Sequence, residues 1–237
     1  MWCVIPAAGR GSRLFPRGSE APKGLVDVGG RPLLLQLLER LRLSVSDVCI
    51  VVDDLEGPIR ERIGTRQNGI RVHYVAQPEP LGVGDAVLRA ETVVRNAFLV
   101  VMGDIYLDRP LDSFVDAWRR SGAEGAVLVE PVSGSPEGPI GLVTIQGDAV
   151  VEIWKAEYTG RTRHRVCGAA VLPEEAFEAG RFLHGPDSGE LELEDVITWL
   201  IRERGTPLAA VTYGGWRQNI NTPADLRRVT HYLEARG

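Results

Sequence analysis

Of the 27 lysines and arginines in this 237-residue chain only two are lysines, Lys23 and Lys155. An arginine presents a planar fork of donors, a lysine a compact ammonium on a flexible stem. In a chain so biased towards arginine, the two lysines mark places where a fork does not fit. Upstream of Lys23 the apolar run Trp2–Pro6 ends in Ala7-Ala8-Gly9-Arg10-Gly11. A strand running into a Gly-x-Gly loop suits a phosphate, because glycines let backbone N–H groups close around an anion. Two familiar forms of that loop are excluded. A dinucleotide fingerprint needs glycine where Leu14 stands, and the Gly-Lys-Ser/Thr of a P-loop is missing.

The elements that must position these residues follow from periodicity. Strands are expected at Trp2–Pro6, Asp47–Val52, Ile70–Val75 and Phe98–Met102, and helices at Leu33–Leu43, Pro58–Ile63 and Gly84–Val94. Such alternation implies right-handed crossovers and a mostly parallel sheet with helices on both faces. After about residue 120 the strands crowd together, at Gly125–Val132, Ile140–Ile145, Ala149–Ile153 and Arg165–Leu172. A helix at Val196–Arg204, a strand at Ala209–Tyr213 and a closing helix at Pro223–Ala235 complete the chain, with Thr222 as N-cap. The expectation is one α/β domain over residues 1–237, a Rossmann-like three-layer sandwich on a mostly parallel, mixed central sheet. Within it the second half, about 121–237, would decorate the first, about 1–120. Ligands of such sheets bind at the C-terminal ends of the strands, here the loops after Pro6 and Met102.

Bulk composition narrows the partners. A net charge of −5 argues against nucleic acid. Yet Arg10, Arg13, Arg17, Lys23 and Arg31 face only Glu20 and Asp27 in the first 31 residues, a basic island suited to a small polyanion. No apolar stretch approaches the roughly 18 residues of a membrane span, and the N-terminal apolar run lacks a basic lead. No membrane partner and a cytoplasmic location are expected. Cys3, Cys49 and Cys167 each lie in an apolar run and read as buried thiols in a reducing compartment. His73, His164, His184 and His231 share no ligand spacing and receive no catalytic role.

The stretch Ala7-Ala8-Gly9-Arg10-Gly11-Ser12-Arg13-Leu14-Phe15-Pro16, followed by Ala21-Pro22-Lys23, resembles the signature of sugar-1-phosphate nucleotidyltransferases. The resemblance implies the nucleotide-diphospho-sugar transferase type of fold. It implies that Ala7, Ala8, Gly9, Gly11 and Ser12 wrap the triphosphate, that Arg13 holds its β and γ phosphates, and that Lys23 binds the α-phosphate. Gln77-x-x-x-Leu81-Gly82 is similar to the base-reading segment, with Gln77 on the base edge and Gly82 leaving room for the base. Gly103-Asp104 stands where the family places a magnesium ligand, and Mg2+ is the implied cofactor; Asp108 is a weaker candidate that reads better as a turn residue. In the closing segment Trp216–Leu226, Asn219 or Asn221 would complete the metal site.

The acceptor side is less regular. Trp154-Lys155-Ala156 stands where relatives have Glu-Lys-Pro, which implies that Lys155 holds the acceptor phosphate while Trp154 replaces a sugar-hydroxyl ligand. The resemblance implies that Gly141, before an apolar strand, lets the acceptor approach the backbone. Gly189–Asp195 resembles a segment of the glucose-1-phosphate thymidylyltransferases, where Glu194 and Asp195 also suit a helix N-terminus.

The partners implied are a nucleoside triphosphate and a phosphorylated small molecule. The implied reaction is in-line attack of an acceptor phosphate on the α-phosphorus, which releases pyrophosphate and forms an NDP-sugar. Two alternatives stay open. One is the same transfer to a non-sugar phosphate or phosphonate, as in phosphocholine-type or methylerythritol-phosphate-type cytidylyltransferases, since an aromatic face such as Trp154 suits a choline-like cation. The other is a non-catalytic nucleotide-binding regulatory subunit.

Overall fold

A computed structural model describes residues 1–9, 11–15, 21–134, 136, 138–160, 162–183 and 189–236. Arg10, Pro16, Arg17, Glu20 and His184, used in the reading above, lie outside the described residues. The strands, in chain order, are β1 (Trp2–Pro6), β2 (Asp27–Val28), β3 (Arg31–Pro32), β4 (Asp47–Val52), β5 (Arg66–Gln67), β6 (Ile70–Ala76), β7 (Phe98–Val101) and β8 (Ile105–Leu107). They continue with β9 (Gly125–Pro131), β10 (Ile140–Gln146), β11 (Ala149–Ala156), β12 (His164–Leu172), β13 (Leu208–Thr212) and β14 (Arg217–Asn219). The α-helices are α1 (Leu33–Leu41), α2 (Pro58–Ile63), α3 (Val83–Arg89), α4 (Asp112–Ser121), α5 (Leu193–Glu203) and α6 (Pro223–Glu234).

Ten strands form one mixed sheet in the order β10-β11-β13-β9-β12-β7-β1-β4-β6-β5. β7, β1, β4 and β6 are parallel neighbours, and so are β13 and β9. The other neighbouring pairs are antiparallel. The mostly parallel expectation therefore describes the first half, while in the second half β13 and β9 are the one parallel pair among the described residues. Parallel neighbours need a crossover long enough to carry the chain back, whereas β10 and β11 are joined by a tight turn at Gln146–Ala149 and must run opposite ways.

The central strands are apolar throughout because both faces are covered. In β4, Val48, Ile50 and Val52 join one apolar cluster with Leu34, Leu38 and Leu41 of α1. Cys49 and Val51 join the other, with Val196, Ile197 and Leu200 of α5. The three cysteines are buried and free, and burial pushes the thiols of Cys49 and Cys167 up to about 12, so none is a ready thiolate. Among the described residues no helix is long and apolar enough to cross a membrane.

Three differences bear on the site. The expected helix to Val94 ends at Arg89 and tightens into a 3-10 turn at Ala90–Thr92. Strand β11 runs on to Ala156 rather than stopping at Ile153, so Trp154 and Lys155 lie on a strand and point to opposite faces. Helix α4 was not read from the sequence. It buries only Phe114 and Val115, too thin a stripe to stand out, although Gly122 ends it in the left-handed region with φ 72°.

At the start of β4, Arg71 grips the Asp47 carboxylate with two hydrogen bonds, at 2.5 and 2.8 Å. These bonds draw the Asp47 pKa down to about 2. A carboxyl group with a depressed native pKa stabilises the fold above its unfolded value near 4, and that stability is lost as pH falls through the native one. Asp47→Asn is thus expected to lower the melting temperature at pH 7. Thermal melts of both proteins should show the difference shrinking as pH falls from about 4 to about 2.

Candidate active site

The C-terminal ends of β1 and β7 come within backbone contact. Gly103 N–H donates to the Pro6 carbonyl at 3.1 Å, and a Cβ on Gly103 would sit 2.5 Å from that oxygen. Only glycine lets the chain turn there into Asp104 beside the loop that follows β1. In that loop Ala7 is buried, Gly9, Ser12 and Arg13 are exposed, and Gly11 adopts φ 62°. Gly11 lies against Lys23: a Cβ on it would be 3.2 Å from the lysine Cβ. Arg13 is exposed and makes no ion pair among the described residues.

Lys23 opens a 3-10 turn after Pro22 and points into the gap between β7 and the closing segment. Its Nζ lies 2.5 Å from Asp104 Oδ2 and also donates to Asn221 Oδ1. The side chains of Lys23 and Asp104 are only 14% and 19% exposed, so the pair is well shielded. The closing segment reaches this point because β14 pairs with β8, setting Asn219 opposite Ile105. Ile220 N–H then donates to the Asp104 carbonyl at 2.8 Å.

The two asparagines differ in what they offer. Arg217 donates to Asn219 Oδ1 at 2.5 Å, and the asparagine turns its Nδ2 to Asp104 Oδ1 at 3.4 Å. Asn221 instead directs its oxygen at the Lys23 ammonium. Asp225 fixes the Asn221 loop, accepting from the N–H groups of Asn221 and Thr222 and from the Thr222 hydroxyl. Arg217 is itself held by Glu130, which also binds Arg165. Sequence reasoning missed Asp225, Arg217 and Glu130. Asp225 had a signal, since Thr-Pro-x-Asp is a capping box; the other two meet only through tertiary pairing. Asp108 takes no part. Its carboxylate is buried under Tyr213, Tyr232, Arg236 and the Trp216 N–H, anchoring α6 to β8.

Gln77 follows β6 and is buried, its N–H bonded to the Val52 carbonyl. Its amide nitrogen donates to the Gly82 carbonyl at 2.9 Å and to Asp85 at 2.7 Å. Gly82, at φ 100°, is crossed by the segment leading to α5: Leu191 N–H donates to the Leu81 carbonyl, and Gly84 N–H donates to Leu191. That segment also reaches the other half of the sheet. Lys155 pairs with Glu192, and Gly141, opposite Lys155 in register, lies under the Glu194 carboxylate. Glu192 and Asp195 form the capping box of α5, while burial pushes the Glu194 pKa up. A cavity of about 610 Å³ opens here, lined by Trp154, Lys155, Glu192 and Arg202 among others. Lys23, Asp104 and Asn221 do not line it.

A glycine-rich loop, a shielded lysine and an aspartate thus meet at adjoining strand ends. The nucleotidyl transferase family model matches residues 3–218, and the chain belongs to that family. It is 28% identical to the UTP–glucose-1-phosphate uridylyltransferase AglF of Haloferax volcanii, over 95% of this chain and 93% of that protein. It is 26% identical to the bifunctional protein GlmU of Methanocaldococcus jannaschii over 98% of this chain, but spans only 54% of that protein's length. The UTP-bound UGPase of Acinetobacter baumannii shares the fold, with a TM-score of 0.80 at 20% identity over 100% of this chain and 94% of that one.

A side chain at Gly82 would run into the Leu191 carbonyl oxygen in a backbone conformation that disfavours any Cβ. Gly82→Ala is expected to cost about 1–3 kcal/mol, read by denaturant titration, because backbone cannot step aside as a side-chain tip can. Unchanged stability would contradict the close approach.

Proposed function

We propose that this chain transfers a nucleoside monophosphate from a nucleoside triphosphate to a sugar 1-phosphate, releasing pyrophosphate and forming an NDP-sugar. The observation that carries the reading is the junction of Lys23, Asp104 and Asn221 beside the glycine-rich loop. The chain works as one domain, a Rossmann-like three-layer sandwich, in the cytoplasm, where its buried thiols stay reduced.

In this reading the backbone of Ala7, Ala8, Gly9 and Gly11, with Ser12, wraps the triphosphate. Arg13, exposed and free of ion pairs among the described residues, grips the β and γ phosphates with its fork. Lys23 exchanges Asp104 for the α-phosphate, its flexible stem letting one ammonium follow one oxygen. Gln77 meets the base edge above Gly82. On the acceptor side Lys155 exchanges Glu192 for the acceptor phosphate at the cavity that Trp154, its neighbour on the strand, also lines, and Gly141, opposite Lys155 in register, lets the acceptor approach the backbone.

The residues also suit magnesium. Asp104 and Asn221 already turn oxygens towards one cation, the Lys23 ammonium, and oxygens are the donors magnesium takes. Among the described residues no three His, Cys, Asp or Glu side chains gather as a cage. Asp104 and Asn221 would therefore hold the ion together with phosphate oxygens and water, and Asn219 serves Asp104 as a donor. When bound, the ion supplies charge neutralisation at the phosphates.

The acceptor monoester has its second pKa near 6 and attacks as a dianion, so no base must remove a proton. An acceptor oxygen bonds to the α-phosphorus while the bridging bond to the β-phosphate breaks, its electron pair leaving on pyrophosphate. Lys23 offsets the charge that builds on the α-phosphate oxygens.

The test is pyrophosphate release with magnesium from a panel of five nucleoside triphosphates, each offered sugar 1-phosphates and non-sugar phosphates. Turnover with a sugar 1-phosphate is expected; turnover confined to non-sugar phosphates, or silence throughout, would overturn the reading. Lys23→Arg should lower kcat by roughly a hundredfold or more, because a fork cannot follow the α-phosphate as an ammonium does. Lys155→Arg should raise the acceptor KM by about tenfold and leave the nucleotide KM unchanged.

A further inference from the structure

Gln77 is turned one way, and a residue outside the phosphate loop turns it. Its Nε2 carries two protons, and both are used: one on the Gly82 carbonyl at 2.9 Å, the other on Asp85 Oδ2 at 2.7 Å. Both partners are acceptors only. Rotating the amide by half a turn would set its oxygen against two other oxygens and lose both bonds. The same Asp85 oxygen also accepts from Arg89 Nε at 2.6 Å across one turn of α3. With the nitrogen committed, Oε1 is the one polar atom of the side chain left, and no donor among the described residues reaches it.

We infer that Asp85 is a specificity-positioning residue: by fixing Gln77 with its oxygen towards the base, it selects bases whose Watson–Crick edge has a ring N–H. This rests on the reading above that Gln77 meets the base edge. Uracil and thymine donate from N3 and are accepted. Cytosine has a bare N3 acceptor there, which faces the fixed oxygen without a proton between them. The same contrast separates guanine, with its N1–H, from adenine. Ring size is not read by this contact, so each comparison belongs within one ring size. A glutamine free to rotate would accept either base of a pair by presenting its oxygen or its nitrogen. The selectivity therefore lies in the carboxylate behind it, an atom that never touches the nucleotide.

Asp85→Asn tests this, because an asparagine can turn its own NH2 to Gln77 and release the amide to rotate. Its length and packing are those of the aspartate. Arg89→Met, which removes the other partner of Asp85 and leaves the carboxylate in place, is the control. Two quantities are measured on all three proteins: kcat/KM for pyrophosphate release, and Kd by calorimetry, with UTP against CTP and GTP against ATP in the presence of magnesium. The wild-type chain should favour UTP over CTP by roughly tenfold or more, since a site built around one hydrogen bond rejects the partner lacking it. Asp85→Asn should bring that ratio down by about tenfold, and Arg89→Met should leave it within about twofold.

A uniform fall for all four nucleotides in Asp85→Asn, with the ratio unchanged, would make Asp85 merely structural and overturn the proposal. A wild-type chain that binds CTP as tightly as UTP would overturn it without any variant, as would failure to bind either. Selective binding without pyrophosphate release would leave this inference standing and sink the transfer reaction instead.

Discussion

An ammonium withdrawn from most of the solvent must be met by oxygen, and Lys23 draws its oxygens from two distant parts of the chain. That requirement organises the rest of the molecule. Asp104 reaches the lysine only because β7 lies beside β1 and because Gly103 lets the strand end turn against the Pro6 carbonyl. Asn221 reaches it only because β14 pairs with β8 and the capped start of α6 holds the loop between. Three segments spread along the sequence thus meet at one charge. The burial of aliphatic strands on both faces supplies the stability that offsets the cost of shielding that charge.

The second organising contact is backbone on backbone. The segment before α5 crosses Gly82 and Gly84, then caps its helix with Glu192 and Asp195. From there Glu192 reaches Lys155 on β11, and Glu194 covers Gly141 on β10. One short stretch therefore touches both the loop after β6 and the antiparallel half of the sheet. Glycine is needed on two sides of it, since a Cβ on Gly82, Gly84 or Gly141 would fall on its atoms. Glu194 bears the cost, its carboxyl raised by burial.

Much of the fold was legible because strong periodicity leaves little choice. The strands Trp2–Pro6 and Asp47–Val52 and the helix Pro58–Ile63 stand at the expected residues, each an apolar or capped run with clear ends. Helix α4 escaped because two buried residues make a faint stripe, and β8 and β14 because three-residue strands have no period to read. The sheet's direction was legible where helices separate the strands and misleading where turns do. In the site, Lys23, Asp104 and Asn221 were each marked by their neighbours in sequence. Arg217, Glu130 and Asp85 were not, for their roles depend on partners that only folding brings near.

The sequence by itself determined the class of chemistry. Loop glycines, a lone lysine and an aspartate at a strand end are local choices, set by backbone freedom and charge type within a few residues. Tertiary structure decided how those groups are used. It set the Lys23 ammonium on Asp104, turned the oxygen of Asn221 towards it and that of Asn219 towards Arg217, and fixed the amide of Gln77. An amide or an ammonium can face many ways, and its direction is set by whichever donors and acceptors the packed chain leaves within reach. Such directions are a property of the packing and are written in no single segment.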